Sequence, residues 1–427
     1  MLDGLIARLR RFRRLFILLA VIGPGLITSN ADNDAGGIAT YSQAGAQFGY
    51  KMLWLLLLIT ISLAVTNEMG ARMGVITGKG LADLIRERFG VRGTTFAMGL
   101  LLVANAFTTV AEFAGIAAAM ELYGISKYIS VPLMAVVIWL LVVRGSYPVV
   151  EKVLLSIGVM YVTYVVSGLL VHPNWGDVAG GTFDVPRNVV ASNAYYLLAI
   201  ALIGTTVTPW MQFYLQAAVA EKGIPNEQLN YSRADVIVGA FVTDFIAFFI
   251  VIATAATLYG HLTPDQLSNM QAGDYAKALG PVAGNAAKLL FGAGLFGASV
   301  LAGSVVPLST SYAVTEAFGW ERGVGNKFSE APVFFGIFTG LIAFGAAVVL
   351  LPGVPLVSVI LASQDVNGLI LPVILLYMLV LLNDRRIMGR HVNGPAANAI
   401  GGGTVVVLVI LTGLLLLSVI PGSPLAG

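Results

Sequence analysis

The chain has 427 residues, of which 57% are hydrophobic and 11% charged, with no cysteine and a formal net charge of +2. Its mean hydropathy is +0.87. These values exclude a soluble globular domain, a basic nucleic-acid binder, a disulfide scaffold, a cysteine-based zinc site and thiol catalysis, and they indicate a polytopic membrane protein.

Apolar runs long enough to cross a bilayer recur eleven times, at about 15–48, 51–73, 94–121, 130–146, 148–171, 192–220, 234–259, 285–315, 331–350, 354–382 and 398–420. The basic start, Arg8 to Arg14, precedes the first run as in a signal peptide. No small-residue cleavage site follows it, so it reads as a first helix that stays. If the N-terminus is cytoplasmic, the outer loops hold only Lys51, Lys127, Arg187, Lys277 and Lys288 of the 24 lysines and arginines. The bias places the N-terminus inside and, after eleven crossings, the C-terminus outside. The expected location is the cell (inner) membrane.

The first run is interrupted at Gly23-Pro24-Gly25-Leu26-Ile27-Thr28-Ser29-Asn30-Ala31-Asp32-Asn33-Asp34-Ala35-Gly36-Gly37. One aspartate at the centre of a membrane helix costs about 2.5–3.5 kcal/mol on insertion scales, and two cost about 5–7 kcal/mol. The pattern predicts a helix that breaks and restarts near Asp34, around a cavity. After the second run, Ala82 to Phe89 has helical periodicity and acid–base neighbours, which predicts a short helix at the cytoplasmic surface.

The sixth run is interrupted at Gly204-Thr205-Thr206-Val207-Thr208-Pro209-Trp210. Pro209 has no N–H, so the carbonyl of Thr205 loses its helical partner. Broken first and sixth helices occupy corresponding positions if runs 1–5 and 6–10 are repeats. An odd repeat length makes the two halves inverted. That arrangement points to a secondary transporter with its site between the two breaks. The fold expected is an all-α polytopic membrane protein of about 11 transmembrane helices, a 5+5 inverted repeat. It forms a single transmembrane domain over 1–427, with a first repeat at about 15–171, a second at about 192–382 and an extra helix at about 398–420. The tenth run adds Ser363-Gln364-Asp365-Val366-Asn367-Gly368. Gln364 and Asn367 share a helical face there and Asp365 is turned about 100° away. This is a third wall of the cavity or a set of interhelical hydrogen bonds.

These residues resemble the Nramp family of divalent-metal transporters. Four segments carry the likeness. Gly23-Pro24-Gly25 with Thr28-Ser29 and Asp34-Ala35-Gly36 stands where the family has its Asp-Pro-Gly motif. Arg72-Met73-Gly74-Val75-Ile76-Thr77-Gly78-Lys79 follows the second helix. Ser363-Gln364 with Leu371-Pro372 leads to Asp384-Arg385-Arg386-Ile387-Met388-Gly389. Gly294-Leu295-Phe296 through Ser309 lies in the eighth run. The resemblance implies the LeuT-like fold and a metal site at Asp34, the Ala31 and Thr205 carbonyls and Gln364. The family's site asparagine falls on Gly37, and its Met-Pro-His falls on Thr208-Pro209-Trp210. In the third helix an acid linked to proton movement falls on Thr109, whereas the second is kept as Glu112.

The resulting ligand set is all oxygen: Asp34, Ala31, Thr205, Thr208, Gln364 and Asp32. Thioether sulfur favours softer metals, and oxygen favours Mg²⁺, Ca²⁺ and Mn²⁺. The pattern is similar to the Nramp-related magnesium transporters. The expectation is a hard divalent cation, Mg²⁺ first and Mn²⁺ second, with proton coupling weak or absent and Glu112 the residual proton group. The alternatives are an ordinary proton-coupled Mn²⁺/Fe²⁺ importer and an organic-solute carrier, whose substrate carboxylate Asp32 and Asp34 would repel. An enzyme is not expected, nor a cofactor beyond the transported cation. The partners are that ion and the lipid bilayer, not nucleic acid.

Overall fold

The structure is a computed structural model, described over residues 24–145, 152–153, 156–185, 192–263, 266–267, 270–278 and 286–419. The basic start, the opening of the first expected run and Arg187 lie outside the described residues. Among the described residues the chain is helical with no strand. The helices are α1 (Pro24–Asp32), α2 (Ala35–Phe48), α3 (Leu53–Thr77), α4 (Leu81–Glu121), α5 (Lys127–Arg144), α6 (Val162–Leu170), α7 (Trp175–Phe183) and α8 (Asn193–Thr206). There follow α9 (Pro209–Lys222), α10 (Leu229–Leu258), α11 (Ala272–Ala278), α12 (Ala286–Phe318), α13 (Pro332–Leu350), α14 (Leu356–Asn383), α15 (Arg385–Met388) and α16 (Pro395–Val419).

Nine helical stretches among the described residues are long and apolar enough to cross a membrane, or ten if a bent pair containing α6 and α7 is one span. Each of the eleven expected runs overlaps at least one of the helices above. One of the nine, Ala35–Thr77, joins two expected runs. Within it α2 turns into α3 at Gly49, whose φ of 61° suits glycine.

Both expected interruptions are present. The first run breaks between α1 and α2, and the sixth between α8 and α9, where Pro209 is the first helical residue of α9. Proline is well placed there because its missing N–H is one the helix start leaves unpaired anyway. The expected surface helix is the first part of α4, which breaks at Gly90 (φ 69°, ψ −174°) before the long apolar part begins. Sequence reading did not anticipate α7. Three of its nine residues are glycine, which weakens helix propensity. It forms because the Asn174 side chain accepts the Gly176 N–H at 3.0 Å and because it packs on α3 and the turn at 49–52.

Helix α4 packs on α12, α13 and α14, and α10 packs on α1, α2 and α3, so the two broken helices are held inside the bundle. Helices α5 and α16 are the least covered of the spans, as faces directed to lipid would be. Ion pairs gather at one end of the bundle. There Arg72 pairs with Glu68 at 3.0 Å and donates to Asn393 Oδ1 at 2.6 Å, and Arg233 of α10 reaches Glu68 at 2.7 Å. A nearly buried arginine is tolerated because each nitrogen of its guanidinium has an acceptor, the His391 carbonyl included. We refer to this as the basic end.

Candidate metal centre

Asp34 is the N-cap of α2. Its backbone is extended (φ −71°, ψ −178°), and its Oδ1 accepts the Gly37 N–H at 2.6 Å. Its Oδ2 is buried and makes no hydrogen bond within the protein. One carboxylate therefore divides its work: one oxygen starts the helix and the other is available to a ligand. The capping and ligand readings of Asp34 are compatible in this geometry.

The residues before Asp34 are fastened to α10. The Asp235 carboxylate accepts the Gly25 N–H at 2.8 Å. Asn33 donates to the carbonyl and the hydroxyl of Thr243 at 3.0 and 2.7 Å, and Thr243 in turn donates to the Ser29 carbonyl at 2.5 Å. Asp32, between these anchors, is fully buried, and neither of its carboxylate oxygens has a hydrogen-bond partner. It lies within electrostatic range of Asp244 on α10 and of Asp34. Ala31 is also fully buried. The N–H of Ala35, which would continue the helix onto the Ala31 carbonyl, donates instead to Glu112 Oε2 on α4 at 3.2 Å. Glu112 thus helps to open the break, and its other oxygen is unbonded.

In the second break, α8 ends at Thr206, so the Thr205 carbonyl has no helical donor four residues on. Thr208 sits at the N-cap of α9, where a hydroxyl ordinarily bonds the helix start. It makes no such bond and is fully buried without a partner. Trp210, at the family's histidine position, is buried with its indole N–H unpaired, and its carbonyl accepts from Ser309 at 2.9 Å.

Gln364 of α14 ties the two broken helices together. A Cβ added to Gly36 would overlap the Gln364 amide, and one added to Gly204 would sit 2.7 Å from the Gln364 carbonyl. Its side chain donates to Ser363 and accepts from Asn367 at 3.2 Å, and Asn367 also donates to Thr108 at 3.1 Å. Tyr41 of α2 and Thr206 of α8 share a hydrogen bond of 2.8 Å, a second link between the halves. Asp365, on the other face, is only partly buried.

Among the described residues no three His, Cys, Asp or Glu side chains gather as a metal cluster. The candidate centre is instead a mixed oxygen site of carboxylate, hydroxyl, amide and freed carbonyls. Sequence reading did not single out Asn67, Gln212 or Gln216. All three of these amides are fully buried. The available signal was a neutral amide inside an apolar helix, repeated four residues apart on α9.

The family described as natural resistance-associated macrophage protein-like, Nramp, matches residues 25–418. The divalent metal cation transporter MntH of Deinococcus radiodurans is 31% identical, over 95% of this chain and 91% of its own. The MntH of Aeromonas hydrophila subsp. hydrophila is 28% identical, over 94% and 96%. Among solved structures, a mutant of the Eremococcus coleocola manganese transporter superposes with a TM-score of 0.77 at 18% identity, over 94% of this chain and 86% of that one. MhsT in complex with L-phenylalanine gives 0.59 at 13% identity, over 93% and 98%. These structural matches share the LeuT-like inverted-repeat fold. The likeness along almost the whole chain, together with two broken helices meeting at Gln364, shows that this integral membrane protein belongs to the Nramp family.

Proposed function

We propose that the chain carries a divalent metal cation across the membrane through the gap between its two broken helices, with Mg²⁺ preferred, Mn²⁺ second, and proton coupling weak or absent. The observation that carries this reading is the buried, uncapped and unpaired hydroxyl of Thr208. It belongs to the same break as the carbonyl freed at Thr205, at the position where the resembling family places a methionine sulfur. Asp34 Oδ2, the Ala31 and Thr205 carbonyls, Thr208 and Gln364 then supply oxygen donors, and Asp32 adds a second negative charge. Such donors suit hard cations. Mg²⁺ gives up its water reluctantly, and short ligands leave space for part of its shell. The family's asparagine ligand has little room here. A Cβ at Gly37 would meet the Asp32 carbonyl at 3.1 Å and the Tyr41 ring at 3.2 Å.

Weak coupling is supported by Glu112, which fastens the start of α2. The unbonded Glu112 Oε1 favours the second reading, proton-coupled Mn²⁺ or Fe²⁺ uptake. Flux into liposomes with an internal pH reporter separates the two. Mg²⁺ and Mn²⁺ uptake without matching acidification is expected, whereas Cd²⁺ or Mn²⁺ uptake with stoichiometric acidification and no Mg²⁺ uptake would sink the first reading. Thr208→Met should raise the Cd²⁺:Mg²⁺ flux ratio about tenfold, the effect of about 1.4 kcal/mol from one ligand contact. An unchanged ratio would remove Thr208 from the site.

We also propose that the basic end is cytoplasmic. The absence of cysteine makes any introduced thiol unique. An impermeant maleimide applied to intact cells should label Trp175→Cys and not Trp320→Cys, both exposed positions. The opposite labelling would invert the orientation.

A further inference from the structure

Helices α3 and α9 run side by side in the same direction. A Cβ on Gly70 would lie 3.8 Å from Gln212 Oε1, and one on Gly74 would lie 2.9 Å from the Gln216 carbonyl. The contacts advance four residues on each helix, so Asn67, three residues before Gly70, stands level with Pro209 at the break. Gln212, Gln216 and Ala220 of α9 follow its N-cap Thr208 at intervals of four, each about one turn below the last on the same side of the helix.

The polar atoms along this face are poorly satisfied. Asn67, Gln212, Gln216 and Thr208 are each fully buried. Neither amide atom of Asn67 or of Gln212 has a hydrogen-bond partner in the protein, and neither does Gln216 Oε1 or Thr208 Oγ1. Gln216 Nε2 donates to the Lys79 carbonyl at 3.0 Å. Below Ala220 lies a cavity of about 240 Å³ at the basic end, lined also by Gly78, Glu221, Tyr312, Glu316 and Arg322. There Arg322 faces Asp83 at 3.2 Å and Glu316 at 3.6 Å. From Thr208 to Ala220 the stripe runs about 18 Å at 1.5 Å per residue.

Buried amides without partners destabilise a fold unless something binds them. An apolar side chain of similar volume would serve packing better. We propose that Asn67, Gln212 and Gln216 form a second, neutral binding track that takes a divalent cation with its water shell between the Thr208 break and the acid-lined cavity. The chemistry fits that occupant. An amide oxygen accepts from the ion's waters and an amide N–H₂ donates to them. Neither carries a charge that would trap the ion midway, as carboxylates would.

The track rests on the proposed cation transport and has its own test. Purified Gln212→Met/Gln216→Met protein is compared with the parent chain for Mn²⁺ affinity by calorimetry, Mg²⁺ and Mn²⁺ flux in liposomes, and Tm. Flux is expected to fall at least about tenfold, with Mn²⁺ affinity within about twofold and Tm unchanged or raised. A purely structural role for the amides would lower Tm instead. Flux within twofold of the parent at unchanged Tm would overturn the track, as would joint loss of Mn²⁺ binding and flux, which would assign the amides to the central site. A parent chain that carries Mn²⁺ but not Mg²⁺ would overturn the ion preference alone, and the track is then read with Mn²⁺. Should the double variant misfold, hydroxyl-radical footprinting of the parent chain decides. Leu215, fully buried beside Gly70, is labelled if the track holds water, and its protection would overturn the proposal.

Discussion

Asp34→Asn should abolish divalent-cation flux in liposomes while the protein stays folded. Asparagine caps a helix about as well as aspartate, so the bond from the Gly37 N–H to position 34 survives and α2 still starts there. What disappears is the charge on the buried, unbonded Oδ2. Losing one partner of a desolvated charge pair costs about 2–5 kcal/mol, at least about thirtyfold in cation affinity at 1.4 kcal/mol per tenfold. Asp34→Ala removes charge and cap together. It should match Asp34→Asn in flux and lose a further 0.5–2 kcal/mol or so of stability, read as a lower Tm. Retained flux in Asp34→Asn would show that Asp34 only caps. Equal Tm values for the two variants would show that the cap contributes nothing.

The second large effect is expected at Gly204→Ala. Helices α8 and α14 meet there backbone to backbone. The added methyl would overlap the Gly368 amide nitrogen and lie 2.6 Å from its Cα and 2.7 Å from the Gln364 carbonyl. A side chain could rotate away from such a contact, but a helix backbone can move only as a whole. Overpacking costs about 1–3 kcal/mol, and this site is at the upper end because no rotamer relieves it. The shift also draws Gln364 away from Gly36, so any surviving protein should transport poorly. Gly99→Ala is the control. Nothing lies within 4 Å of its new methyl, and alanine in a helix interior gains about 0.5–1 kcal/mol over glycine. A folded, fully active Gly204→Ala protein would mean that the contact between α8 and α14 does not position the site.

The legible parts of the molecule were those written in local chemistry. Asp32 and Asp34 within an apolar run, flanked by glycine, and Pro209 after Thr205 each place a helix end at a definite residue. Both ends are where they were expected, between α1 and α2 and between α8 and α9. The short helix before Gly90 was legible for the same reason, its own periodicity. Helix α7 was not, because its glycine-rich residues form a helix only with the Asn174 cap and the packing on α3.

By itself, then, the sequence determined that this is a membrane protein, where its helices break, and that the residues written at the breaks carry oxygen donors and no sulfur. Composition and hydrogen-bonding capacity belong to each residue regardless of its neighbours. Only the tertiary structure decided that Asp34 spends one oxygen on α2 and keeps the other unbonded, and that Asp32 lies within electrostatic range of Asp244. It also decided that Gln364 closes on Gly36 and Gly204, and that Gln212 and Gln216 of α9 lie against Gly70 and Gly74 of α3. Those facts depend on how helices far apart in the chain register against one another. That register is set by where glycines let two backbones approach, a property of pairs of helices that no single stretch of residues contains.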